Sequence, residues 1–135
     1  MNKYELIIEK AKEARKNAYA PYSDFQVGAA ALLKDGTYIL GCNVENISYG
    51  LCNCAERTCL FSLVAQGYDP KDVELFCIIG STKNPISPCG ACRQVMNELL
   101  RPETEVVLAN MVGDYKVFNN SDLLPYTFEE IEHVE

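Results

Sequence analysis

Apolar and polar positions follow two different periods along this chain. Ile7, Ala11, Ala14 and Ala18 recur at helical spacing with Lys and Glu between them, which predicts a helix over residues 3–19 that stops before Pro21. The apolar segments at 25–33 and 38–44 flank Asp35-Gly36, a strong turn signal, and predict an antiparallel hairpin. A second helix is expected over 54–66, with Asn53 as its cap and Gly67 as its end. Residues 73–80 form a short apolar run and read as a strand. Ser87 and Pro88 read as the N-cap and first position of a third helix. It carries Cys89, Cys92, Val95, Met96, Leu99 and Leu100 and closes before Pro102. Strands are expected at 105–109 and 115–118, around a turn at Gly113-Asp114, and the tail after Ser121 reads as a short helical or irregular cover.

The resulting order is α-β-β-α-β-α-β-β. A strand, helix and strand from 73 to 109 predict a right-handed parallel crossover. The pattern fits an α/β fold of three layers, α/β/α, with a mixed five-stranded sheet between helices. No repeat or linker interrupts it, so residues 1–135 are expected to form a single domain. A chain of 135 residues can bury a core without disulfide staples. The net charge of -7 disfavours nucleic acid and anionic membrane surfaces as partners. No run approaches the roughly 18 apolar residues of a membrane span, and the polar residues 1–16 do not read as a signal peptide. The seven cysteines are therefore expected in a reducing cytoplasm, as core residues, metal ligands or catalytic groups.

Two clusters carry chemistry: Cys54-Ala55-Glu56 and Pro88-Cys89-Gly90-Ala91-Cys92. Each is expected in the first turn of a helix, where partial positive charge and unpaired N–H groups favour a thiolate. Cys89 and Cys92 are three apart and share a helix face. If the two helix starts converge, Cys54, Cys89 and Cys92 give zinc three ligands and leave a fourth position for water, the pattern of a catalytic site. Zn²⁺ with three thiolates totals about -1, so a cation is needed nearby, and Arg57 is the candidate. Glu56, two residues past Cys54, points to another side of the helix and suits proton transfer. Other readings of the same residues are a Cys-x-x-Cys redox pair, a capping box from Asn53 to Glu56, and a structural zinc site completed by Cys52.

The two clusters resemble the zinc deaminase signature H-x-E…P-C-x-x-C, with Cys54 in place of the His. The wider sequence resembles the small homotetrameric cytidine deaminases of the cytidine/deoxycytidylate deaminase superfamily over nearly its whole length. The blocks that carry the likeness are AYAPYSDFQVGAA, GCNVENISYG, LCNCAERTCL and SPCGACRQV, in that order. The resemblance implies a cytidine deaminase-like fold and one Zn²⁺ per subunit on Cys54, Cys89 and Cys92. It implies Glu56 as the catalytic proton shuttle and Arg57 as the offset to thiolate charge. It assigns Asn43 and Glu45 to the ribose, Phe25 to the pyrimidine pocket, and Tyr49 and Ala55 to the substrate-binding set. Phe128 matches an aromatic supplied to a neighbouring subunit.

The implied reaction is hydrolysis of cytidine or deoxycytidine to uridine or deoxyuridine with release of ammonia, a step of pyrimidine salvage in the cytoplasm. The residues agree with it. Asn43 and Glu45 alternate with Val44 and so face one way on an extended segment. Amide and carboxylate together offer a donor and acceptors to sugar hydroxyls. A blasticidin-type deaminase shares a similar cysteine pair, but the NVEN segment favours a ribose. A non-catalytic zinc module and a nucleic-acid-editing deaminase are the further alternatives, the latter disfavoured by charge. Cys42, Cys59 and Cys77 are expected as small core residues. Cys52 and His133 receive no role.

Overall fold

The computed structural model describes residues 1–128 and 131; His133 lies outside the described residues. Helix α1 (Lys3–Arg15) begins at a capping box in which Asn2 Oδ1 accepts the Glu5 N–H at 2.8 Å and Glu5 Oε1 accepts the Asn2 N–H at 3.2 Å. Strands β1 (Val27–Leu33) and β2 (Tyr38–Cys42) follow, then α2 (Ala55–Ala65), β3 (Val73–Gly80), α3 (Gly90–Leu99), β4 (Glu105–Asn110) and β5 (Tyr115–Asn119). Short 3₁₀ turns occupy Tyr49–Leu51, Pro70–Asp72 and Asn120–Leu123. The strand order is β2-β1-β3-β4-β5, with β3 and β4 parallel and the other pairs antiparallel. This is the mixed five-stranded sheet the sequence predicts.

The core divides along the pleat. On β3, Leu75, Cys77 and Ile79 face α1 and pack with Ile7, Ile8, Ala11, Val107 and Ala109. Phe76 and Ile78 face the other way, against Leu60, Leu63, Met96 and Leu100 of the α2 and α3 side. Successive strand side chains point to opposite faces, so one apolar run serves two cores. Each fully buried Leu, Ile or Phe contributes about 1.5–3 kcal/mol, and both faces of the sheet are supplied with them.

Two glycines set how closely the helices approach. A Cβ on Gly28 would lie 2.1 Å from Ala11 O of α1, and one on Gly41 would lie 2.4 Å from Cys59 N of α2. Both helices therefore rest directly on strand backbone, one on each face.

The element ends differ from the predicted ones for a shared reason. Helix α1 stops at Arg15, not 19, because Tyr19 is drawn into pairing: its N–H donates to Asn43 O at 3.0 Å and its carbonyl accepts the Glu45 N–H at 2.8 Å. Strand β1 starts at Val27, not 25, because the Asn43 side chain takes the ladder's place there. Its Oδ1 accepts the Val27 N–H and its Nδ2 donates to Phe25 O, both at 2.8 Å. Val44 then pairs with Asn53 through two backbone bonds, N to O at 3.0 Å and O to N at 2.9 Å. The strip 43–45 thus joins the 19–27 loop to the start of α2.

Candidate functional site

Helices α2 and α3 begin side by side in the fold, and both begin at cysteine. The N-caps are Cys54 and Cys89, each in extended conformation, rather than Asn53 and Ser87. Asn53 is unavailable because its backbone pairs with Val44 and its Nδ2 donates to Thr58 Oγ1 at 3.0 Å. Ser87 is held elsewhere, as its Oγ accepts Arg93 Nη2 at 2.5 Å. The cysteines so stand at the junction of strand-like and helical backbone, one residue before the first turn, and Cys92 sits on the third residue of α3. The Cys92 N–H donates to Cys89 Sγ at 3.4 Å.

The Sγ atoms of Cys54, Cys89 and Cys92 lie within 4.8 Å of one another. Zinc with bonds of about 2.3 Å in a tetrahedron places its sulfur ligands about 3.8 Å apart. The Cys54–Cys89 separation is 3.9 Å, so this donor set fits the ion. Three soft sulfurs suit Zn²⁺, and three ligands leave one position open. Among the described residues this is the group of metal-capable side chains that converges.

The electrostatics favour thiolate at Cys54. Hydrogen bonding from Cys92, with the Arg57 guanidinium 3.3 Å away, brings its pKa down to about 5. The same pairing with Cys54 pushes Cys92 up, and Arg57 is raised by its bond to Cys54. Glu56 is 4% exposed, and burial raises its carboxyl above the ordinary range, aided by the Cys54 charge. A buried carboxyl beside the metal centre is suited to holding a proton.

A cleft of about 310 Å³ is lined by Tyr22, Ser23, Glu45, Tyr49 and Cys52, the last of them two residues before Cys54 in sequence. Glu45 Oε1 accepts the Tyr22 and Ser23 N–H groups at 3.0 and 3.1 Å, and Oε2 accepts the Ser23 hydroxyl. These donors lower the Glu45 pKa, the Ser23 hydroxyl most. The Tyr49 ring packs edge-on to Tyr22, with centroids 6.1 Å apart. Phe25 is 37% exposed; its Cζ would lie 3.2 Å from a Cβ on Gly80, so the glycine at the end of β3 makes room for the ring. Ala55 is fully buried between Cys54 and Glu56. Asn43 is occupied by Phe25 and Val27, and Phe128 is 68% exposed.

Cys59 and Cys77 are core residues at 0% exposure, and Cys42 is half-buried. Cys52 does not join the metal centre. Its Sγ accepts the Asn46 N–H at 3.3 Å, which ties down the loop before the 3₁₀ turn.

Two residues escaped the sequence reading. Arg93 donates to Pro88 O at 2.8 Å through Nε and to Leu123 O at 2.8 Å through Nη1. It braces the Ser87–Pro88–Cys89 loop against the C-terminal turn. Ser23 holds Glu45. The only signal in sequence is that each lies inside a block quoted above, Arg93 directly after Cys92 and Ser23 two residues before Phe25.

The model of the cytidine and deoxycytidylate deaminase zinc-binding region matches residues 1–109. The chain is 52% identical to a cytidine deaminase of Halalkalibacterium halodurans over 92% of each chain. It superimposes on the crystal structure of cytidine deaminase from Burkholderia pseudomallei with a TM-score of 0.91 at 58% identity, covering 95% of this chain and 100% of that one. Against cytidine deaminase from Mycobacterium tuberculosis the TM-score is 0.79 at 35% identity, over 96% of this chain and 100% of that one.

Proposed function

The chain belongs to the cytidine and deoxycytidylate deaminase zinc-binding family, and from that membership we propose that it is a zinc-dependent hydrolase converting cytidine and deoxycytidine to uridine and deoxyuridine in pyrimidine salvage. The observation that carries the reading is the convergence of Cys54, Cys89 and Cys92 with a buried glutamate two residues from the first of them.

Cys54, Cys89 and Cys92 hold one Zn²⁺ per subunit. Bound zinc supplies a Lewis acid that brings the pKa of a water close to neutrality. Glu56 takes the proton of the water that adds to C4 of the pyrimidine and delivers it to ring N3. It then takes the second proton, from the hydroxyl now on C4, and passes it to the amino group; the C4–N bond breaks as the C4 carbonyl forms, and ammonia leaves. The raised pKa of this carboxyl supports both transfers, since it must hold each proton between its source and its destination. Arg57 donates to Cys54 and offsets the thiolate charge. Phe25 and Ala55 are assigned to the base and Asn43 and Glu45 to the sugar; of these Glu45 lines the cleft, together with Tyr49. With both polar atoms of Asn43 engaged by backbone, its spare donor hydrogen and lone pair are what remain for a ligand. The acidic chain favours a neutral nucleoside over a nucleotide.

A homotetramer of single-domain subunits is supported by exposed Phe61 and Val64, which share a face of α2, and by exposed Phe128, which suits a neighbour's site. No helix among the described residues is long and apolar enough to cross a membrane. Sedimentation of the zinc-loaded protein tests the tetramer. An absorbance assay with cytidine, deoxycytidine, CMP and blasticidin S, with and without a chelator, tests the activity. Turnover of the two nucleosides that the chelator abolishes is expected; turnover of blasticidin S alone would overturn the substrate assignment.

A further inference from the structure

The cleft lined by Tyr22, Ser23, Glu45, Tyr49 and Cys52 contains a directed hydrogen-bond chain that runs through one hydroxyl. The Phe25 N–H donates to Ser23 Oγ at 3.0 Å, and Ser23 Oγ donates to Glu45 Oε2. A serine hydroxyl has a single proton, so the direction is fixed: Phe25 backbone to Ser23 to Glu45. Backbone N–H groups of Tyr22 and Ser23 fill Glu45 Oε1. An ionised carboxylate offers about four acceptor sites. Three are taken, and the fourth accepts only from a donor, such as a sugar hydroxyl.

The turn that brings these groups together is not a relaxed one. Asp24, between Ser23 and Phe25, has φ +55°, in the left-handed region that non-glycine residues seldom occupy. Its N–H bonds to Ala20 O at 3.0 Å, and Glu45 N–H bonds to Tyr19 O at 2.8 Å. The turn is held in place by the strip that carries Glu45. Ser23 is the side chain common to both ends of the arrangement, the Phe25 wall and the Glu45 acceptor.

We propose that Ser23 is a positioning residue for sugar recognition: its hydroxyl locks Glu45 and Phe25 into one geometry and so makes the cleft select nucleosides that carry sugar hydroxyls. The proposal rests on the reading of Glu45 as the sugar-hydroxyl acceptor.

The test compares Ser23→Thr with Ser23→Val, which share a shape and differ in the hydroxyl, on cytidine, deoxycytidine and 2′,3′-dideoxycytidine. Zinc content is measured for each. Ser23→Val should raise KM for cytidine and deoxycytidine about tenfold, the loss of one hydrogen bond to a charged group. It should raise the KM for the dideoxynucleoside by a clearly smaller factor, since that substrate has no 2′- or 3′-hydroxyl for Glu45 and senses only the Phe25 wall. For all three substrates the larger part of the effect should fall in KM and not kcat. Ser23→Thr should restore the parent KM values. Ser23→Ala, which removes only the oxygen, must show the same split as Ser23→Val. Equal KM values for the Thr and Val variants, or a loss confined to kcat, would overturn the proposal. Glu45→Gln separates the two levels. If it keeps the discrimination against the dideoxynucleoside, the reading of Glu45 itself fails. If it loses discrimination while Ser23→Val keeps it, only the role of Ser23 fails.

Discussion

Arg57 donates a hydrogen bond from Nη2 to Cys54 Sγ at 3.3 Å, reaching back along the first turn of α2. The bond places a permanent cation against a ligand set whose thiolates outweigh the metal's charge. Charge-assisted bonds of this kind are worth about 1.5–3 kcal/mol. Arg57→Gln is expected to keep the metal and to lower kcat by about tenfold or more. Removing a cation makes neighbouring acids harder to ionise, so the acidic limb of the kcat profile should move to higher pH. Metal analysis and a pH series of kcat check both parts; an unchanged profile would contradict the charge-offset role.

Glu56 is buried at the start of the same helix, and its carboxyl is the proton carrier in the proposed reaction. Glu56→Gln preserves shape and removes the transferable proton. A fall in kcat of about 10²–10⁴ is expected, with zinc content retained. Stopped assays combined with atomic absorption measure this, and normal turnover would sink the role.

Removing zinc should stop catalysis before it unfolds the chain, because the two cores on the sheet do not involve the metal centre. Far-ultraviolet circular dichroism of chelated protein should therefore remain native-like. Thiol titration follows the same event. Cys54 and Cys89 should become reactive on chelation, while Cys59, fully buried and with its pKa pushed up to about 12 by burial, should stay silent until denaturant is added. Loss of the dichroism signal on chelation would instead mark a structural zinc module.

Gly41 leaves no room for a side chain against Cys59 of α2. Gly41→Ala must push α2 off β2. Overpacking of this kind costs about 1–3 kcal/mol, and occasionally more, and α2 carries both Cys54 and Glu56. A reduced denaturation midpoint together with reduced kcat is expected. Gly36→Ala, in a turn with open space but φ +92°, should lower stability without touching kcat.

Much of the architecture is legible from periodicity because burial on two faces leaves plain marks. Residues 73–80 form an apolar run broken only by the exposed Glu74 and are a strand with those limits. The cysteine clusters were legible because few functions require three cysteines and a glutamate at that spacing. What could not be read locally was decided by distant partners. Asn53 and Ser87 are better capping residues than cysteine, yet Val44 and Arg93 claim them and the cap moves to Cys54 and Cys89. Helix α1 loses residues 16–19 from its predicted length because Tyr19 pairs with the strip 43–45. The bracing by Ser23 and Arg93 depends on contacts across 22 and 30 residues of sequence, which no local pattern records.

Cys54 and Cys89 stand where extended backbone turns into helix, with their sulfurs 3.9 Å apart on a scaffold the sheet supports. The two apolar cores that hold these helix starts contain none of Cys54, Cys89 and Cys92, whereas small zinc modules depend on the metal for their fold. Metal exchange becomes an event on a finished protein. How much working catalyst a given number of chains provides is then set by ion supply and can change without new synthesis.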